Sequence, residues 1–269
     1  MTYDNLMNIV NSTWLCEHNT MERLLNVFDA KLNGNLSDLN ALINEPMNEW
    51  SKKSFSCETR ENVAYFKVSG TIVPRTASMT PYCGMFPVYG IEQVLSELEA
   101  IPNIDTCIIH FDSGGGIGIG VPEMADRIRS SRLKTIGFTD TYSASASYWL
   151  MSACSEVVMA QSARVGSIGA YVGVTKKITT EKDSFKTHIF SAGENKLFGS
   201  PYVPLSENEA NYLQKMVNDS YASFVTAVAE YRGVAEQQVI DTKAGVFNGT
   251  EAGFLVDKVM TLNQLLWGE

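Results

Sequence analysis

Histidine is scarce in this 269-residue chain, which carries only His18, His110 and His188. His18 falls in a polar stretch, His110 inside an apolar run and His188 between Thr187 and Ile189, so none stands in a recognisable triad context. Cysteine is sparse too. Cys16, Cys57, Cys83, Cys107 and Cys154 make an odd set without metal-ligand spacing, and Cys107 and Cys154 lie in apolar segments where a free thiol packs as a small hydrophobe. That argues against a metal site and for a reducing compartment. No run of about eighteen apolar residues occurs, and the N-terminus, Met1–Leu6, lacks the basic stretch and apolar run of an export signal. The expectation is a chain without a membrane anchor, located in the cytoplasm. Against 30 acidic residues stand 21 Lys and Arg, for a net charge of −9 with no basic cluster, so a phosphate-binding surface for nucleic acid is excluded. No repeat or low-complexity tract is present.

What the chain does have is apolar residues, 45% of the total, enough to fill one core of this length. Apolar positions from Asn5 to Leu32 (Leu6, Ile9, Val10, Trp14, then Leu24, Leu25, Val27, Phe28) follow helical spacing, and 33–56 is polar. These features predict an N-terminal helical arm and linker over 1–58, with a globular domain over 59–269. In that domain Val63–Val68, Thr106–Phe111, Lys134–Phe138 and Glu156–Ala160 read as strands, and Ile91–Leu98 and Pro122–Ile128 as helices. The alternation predicts an α/β fold of right-handed βαβ units with a mainly parallel sheet. Ser206-Glu207-Asn208-Glu209 is a capping box opening a long C-terminal helix to about Tyr231. The stretch from Arg75 to Tyr89 has no period and reads as a loop facing substrate or subunit.

Two segments carry the chemistry. The first strand run breaks into Asp112-Ser113-Gly114-Gly115-Gly116, where glycines free of Cβ let backbone N–H groups turn toward a ligand. The second, Tyr142-Ser143-Ala144-Ser145-Ala146-Ser147-Tyr148-Trp149, places three alternating serines among small residues ahead of an apolar run that reads as a helix. A serine in such a first turn meets the positive end of the helix. The glycine turn alone would serve equally as a packing turn, and Ile117-Gly118-Ile119-Gly120 lacks the Lys-Ser/Thr of a phosphate loop. A serine nucleophile needs a base. With no histidine in place, a lysine can serve if burial disfavours its charged form.

The order of motifs resembles the signal-peptide-peptidase family of Ser/Lys proteases. Ser113-Gly114-Gly115-Gly116, Ala144-Ser145-Ala146-Ser147-Tyr148-Trp149, Gly166-Ser167-Ile168-Gly169 and Lys196-Leu197-Phe198-Gly199-Ser200-Pro201 stand where the family has its strand-end glycines, nucleophile, turn and lysine. Gly114 replaces the family's proline, and Ala146 and Ser147 its two glycines. The resemblance implies a crotonase/Clp-protease-like core, Ser145 as nucleophile, Lys196 as general base, Ser167 as hydrogen-bond partner of the lysine amine, and an oxyanion hole from the backbone of Gly115 or Gly116 and Ala146. It implies no metal and no organic cofactor.

Lacking an anchor, the chain resembles the phage capsid protease branch of the lambda protein C type. That implies a homo-oligomeric ring or dome acting on scaffold and capsid proteins during head maturation, in the host cytoplasm or within the prohead. Three other readings stay open: a cytosolic bacterial enzyme of signal-peptide-peptidase type degrading peptides, an inactive capsid-assembly protein, and an acyl-CoA enzyme of the crotonase type. The last would need neither Ser145 nor Lys196.

Overall fold

The computed structural model describes residues 14–16, 57–74, 84–176 and 188–267. Its centre is a six-stranded sheet. In chain order the strands are β1 (Trp14–Cys16), β2 (Glu58–Arg60), β3 (Val63–Ser69), β4 (Thr71–Val73), β5 (Met85–Pro87), β6 (Thr106–Asp112), β7 (Gly115–Ile117), β8 (Lys134–Thr139), β9 (Tyr142–Ala144), β10 (Glu156–Met159), β11 (Arg164–Gly166), β12 (Val246–Phe247) and β13 (Lys258–Val259). The main sheet runs β13-β10-β8-β6-β3-β2, parallel throughout except for the antiparallel edge β2. Two small sheets, β1-β7-β4-β5 and β12-β11-β9, are built at its margin. The chain is thus α/β with a mainly parallel sheet, as the alternation predicts.

The helices are α1 (Gly90–Glu99), α2 (Val121–Arg129), α3 (Ala146–Ser152), α4 (Glu207–Arg232), α5 (Glu236–Ile240) and α6 (Leu262–Trp267). Strand β6 is buried on both faces, which is why it reads as a continuous apolar run. Its Cys107, Ile109 and Phe111 join Ala64, Phe66 and Val68 of β3 in a core shared with α1, α2, α3 and α4. Ile108 faces the other way, with Ile136, Phe138 and Val158, under Leu262, Leu265 and Leu266 of α6. Burying each of the larger side chains is worth about 1.5–3 kcal/mol. The C-terminal helix is pinned further by Arg60, whose guanidinium lies 4.0 Å over the Trp267 ring.

Two expectations differ from the structure. Trp14–Cys16, counted into the helical arm, is a strand pairing antiparallel with β7, so an edge ladder has overridden local helical spacing. The rest of the arm lies outside the described residues. Met85–Pro87, read as loop, is β5, paired parallel with β4. Three residues cannot display a period.

Helices α1 and α2 are joined by an ion-pair network. Arg127 Nε donates to Glu92 at 2.6 Å, while its two terminal nitrogens donate to Glu99 at 3.0 and 2.7 Å and Ser131 Oγ adds a bond of 2.6 Å. The Arg127 guanidinium, with Ser131 and the Arg132 backbone, holds the Glu99 carboxyl at about 2, well below its ordinary value. A depressed carboxyl stabilises the fold above its unfolded pKa and loses that contribution as pH falls through the folded value, here between about 4.5 and 2. Glu99→Gln should therefore lower stability at neutral pH by about 1 kcal/mol once solvent screening is allowed for, and the gap from wild type should close toward pH 2 in thermal melts.

Candidate active site

The structure separates the three serines. All three are buried, Ser145 at 1% exposed, but only Ser143 and Ser147 hydrogen-bond each other, Oγ to Oγ, at 2.9 Å. Ser145 sits between them at the N-cap of α3 with φ 54° and ψ −123°, and its side chain makes no capping bond. Strand β9, this serine and α3 form a sharp strand–turn–helix elbow, the arrangement that projects a nucleophile from an α/β sheet. The flanking Ala144 and Ala146 have no exposed surface, which explains why the sequence keeps them small. Positive φ at a residue with a Cβ costs on the order of 1–3 kcal/mol. Ser145→Gly should accordingly raise the melting stability by about 1 kcal/mol while Ser145→Ala should not, a difference that denaturant titration will measure.

The elbow is held from both sides. On one side the Ser145 N–H donates to Gly166 O at 2.8 Å, and β9 pairs parallel with β11, Ala144 opposite Gly166. The register places Ser145 and Ser167 next to each other past the ends of paired strands. Ser167 also has positive φ, 55°, and its N–H donates to Gly245 O at 2.7 Å. On the other side Ser113 bridges Ser143, with Ser113 N–H donating to Tyr142 O at 2.8 Å and Ala144 N–H to Ser113 O at 3.1 Å. Beyond that bridge the chain leaves β9, and the glycine turn enters β7, which packs against α3. Helix α3 is fixed in turn by Tyr148, which donates to Leu255 O at 2.7 Å, and by Trp149, stacked on Phe224 with ring centroids 4.5 Å apart.

Within the glycine turn Gly115 and Gly116 have different duties. The Gly115 N–H donates to Ser113 Oγ at 3.1 Å, and the same hydroxyl donates to Gly70 O at 2.6 Å. Gly116 lies in β7 opposite Ile72, and a Cβ there would meet Ile72 O at 1.9 Å, so strand packing alone requires this glycine. Ala146 opens α3, where a first-turn N–H has no partner within the helix. Asp112 anchors the strand end before the turn. It takes the Thr141 hydroxyl at 2.7 Å and pairs with Lys67 at 3.0 Å. Burial pushes its carboxyl up, but Thr141 and Lys67 more than offset this and leave it below the usual range.

Lys196 is not brought to Ser145 by any contact among the described residues. It is exposed, in a run of turns where its N–H donates to Gly193 O at 3.1 Å. That run rests on the N-terminal half of α4 through Phe198 against Tyr212, 5.5 Å between centroids. Sequence reading missed a second lysine nearby. Lys176 Nζ lies 2.8 and 3.0 Å from the Glu209 carboxylate and 3.0 Å from Ser200 O.

His110 is a structural histidine. It is buried on the α6 side of the sheet with one ring nitrogen 2.6 Å from Tyr65 Oη and the other 2.8 Å from Asp140. Burial lowers its pKa despite Asp140. No group of three or more His, Cys, Asp or Glu side chains among the described residues could hold a metal ion, and no helix among them is long and apolar enough to cross a membrane.

A parallel α/β core presenting an elbow serine beside a glycine turn is the architecture of serine hydrolases. The chain belongs to peptidase family S49, whose model matches residues 127–267, about half of it. The match takes in the elbow, the Gly166–Gly169 turn and the Lys196 segment, in agreement with the resemblance drawn from the motifs. The chain is 31% identical over 204 residues to the capsid assembly protease C of Escherichia phage lambda, covering 75% of this chain and 46% of that protein. It is 28% identical over 211 residues to the head-tail preconnector protein GP5 of Enterobacteria phage P21, covering 76% and 42%. It thus spans less than half the length of these two relatives. Among solved structures, a ClpP1 variant of Listeria monocytogenes superposes with a TM-score of 0.48 at 14% identity, over 73% of this chain and 90% of that chain.

Proposed function

We propose that the protein is a serine endopeptidase in which Ser145 attacks the scissile carbonyl and Lys196 is the general base. The observation that carries this reading is the elbow at Ser145, a strained serine whose hydroxyl is not spent on capping its helix. Lys196 Nζ takes the Ser145 Oγ proton as the oxygen–carbon bond forms. The oxyanion is received by the Ala146 N–H and by Gly115 or Gly116, Gly115 having to leave Ser113 Oγ to do so. Lys196 then gives the proton to the departing amine as the carbon–nitrogen bond breaks. Water, deprotonated by the same lysine, hydrolyses the acyl-enzyme. Ser167, beside Ser145 in register, would hold the lysine amine.

On the single chain Lys196 is exposed, whereas a lysine base needs a covering surface. The N-terminal half of α4 needs one as well. Between Ala210 and Ser223 no residue is fully buried, although Leu213, Met216 and Val217 line grooves of about 510 and 300 Å³ there. A second copy of the chain would meet both needs, closing the site with Ser145 from one subunit and Lys196 from its neighbour in a ring or dome. The phage relatives make scaffold and capsid proteins the proposed substrates. Co-expression with candidate capsid and scaffold proteins tests the role: processing that disappears in Ser145→Ala supports it, and unprocessed capsid proteins beside an active peptidase overturn it.

A further inference from the structure

Besides the contact of Phe198 with Tyr212, the Lys196 turn is tied to α4 at a buried carboxylate. Glu209, in the first turn of α4, is 2% exposed, yet its oxygens meet only donors. Lys176 Nζ lies 2.8 and 3.0 Å away, and the Gly199 N–H donates to Oε1 at 2.6 Å. Gly199 is three residues beyond Lys196 and has φ 79°, a conformation that lets its N–H turn back toward α4. Lys176 also reaches Ser200 O at 3.0 Å, so both the N–H of residue 199 and the carbonyl of residue 200 are fixed. The lysine itself lies on the stretch that follows the Gly166–Gly169 turn beside Ser145. Burial pushes the Glu209 carboxyl up, but Lys176, Gly199 and Ser206 together leave it below its ordinary value, so it stays ionised.

We infer that Glu209 is a positioning residue for catalysis: by gathering Lys176, Gly199 and, through Lys176, Ser200 on one carboxylate, it fixes the turn that carries Lys196 relative to the arm that leaves Ser167. This rests on the Ser/Lys reading above. In the capping role visible in the sequence Ser206 Oγ accepts from the Glu209 N–H at 3.1 Å and the Ser206 backbone helps hold the carboxylate ionised, while the inward bonds of that carboxylate go to Lys176 and Gly199. An amide cannot replace that carboxylate, because the –NH₂ of a glutamine would face a donor whichever way it was turned.

The test compares Glu209→Gln with Ser206→Ala in the full, assembled protein on a fluorogenic peptide. Ser206→Ala removes the α4 cap without touching the Lys196 turn. Expected is a roughly 100-fold loss of kcat in Glu209→Gln with KM within about twofold, against a loss of less than about threefold in Ser206→Ala at comparable melting stability. Equal losses of kcat in the two variants, or unchanged kcat in Glu209→Gln, overturn the inference. Lys196→Ala, run in parallel, distinguishes the failures: an inactive Lys196→Ala beside a fully active Glu209→Gln leaves the dyad standing and removes Glu209, whereas a fully active Lys196→Ala removes the dyad itself. If Glu209→Gln does not fold, Lys176→Met, which removes the cation through which Glu209 holds the Ser200 carbonyl, should show the same loss of kcat; full activity in that variant also overturns the inference.

Discussion

Ser145→Ala is expected to abolish peptide cleavage, lowering kcat/KM by roughly 10⁴-fold or more while the protein stays folded. The size follows from the role: without an attacking oxygen only binding and oxyanion stabilisation remain. The fold should tolerate the change because Ser145 makes no side-chain capping bond. The neighbouring serines provide the contrast. Removing either the Ser143 or the Ser147 hydroxyl strands its buried partner at a cost of about 1–3 kcal/mol, so those variants should lose stability but keep their activity per folded molecule. Kinetics normalised to folded protein separate the two effects.

The second large effect is expected from mixing inactive variants. Lys196→Ala should lose at least about 10³-fold in kcat, because general-base assistance is worth that order and serine is weak without it. If each site takes its serine and its lysine from different subunits, assemblies formed jointly from Ser145→Ala and Lys196→Ala chains regain intact sites. Statistical mixing at a symmetric interface makes about one quarter of the sites intact. Activity regained on co-refolding supports the shared site. Two inactive variants that stay inactive together, in assemblies shown to be mixed, place both groups on one chain.

The long elements of this fold were legible because they satisfy a period. Thr106–Phe111 and Lys134–Phe138 are apolar runs of strand length, and the box at Ser206 opens a helix of 26 residues. What sequence could not reveal are β5, β9 and β11, three residues each, whose pairing depends on partners far along the chain. Yet β9 and β11 set Ser145 beside Ser167. The family resemblance singled out Ser145 among three alternating serines, but the physical difference between them is conformational: one φ angle and one bond between the other two. Glu209 read as a helix cap because its partner Lys176 lies 33 residues away, beyond the reach of any local pattern.

If Ser145 is the reactive residue, covalent labelling reveals it without knowledge of the natural substrate. The assembled protein is incubated with an alkyl fluorophosphonate, and the site of modification is mapped by peptide mass spectrometry alongside residual peptidase activity. The predicted result is one adduct per active site, on Ser145, with loss of activity in proportion to labelling and no adduct in Ser145→Ala. An adduct on Ser143 or Ser147 that tracks inactivation, or peptide cleavage that persists in Ser145→Ala, would contradict it.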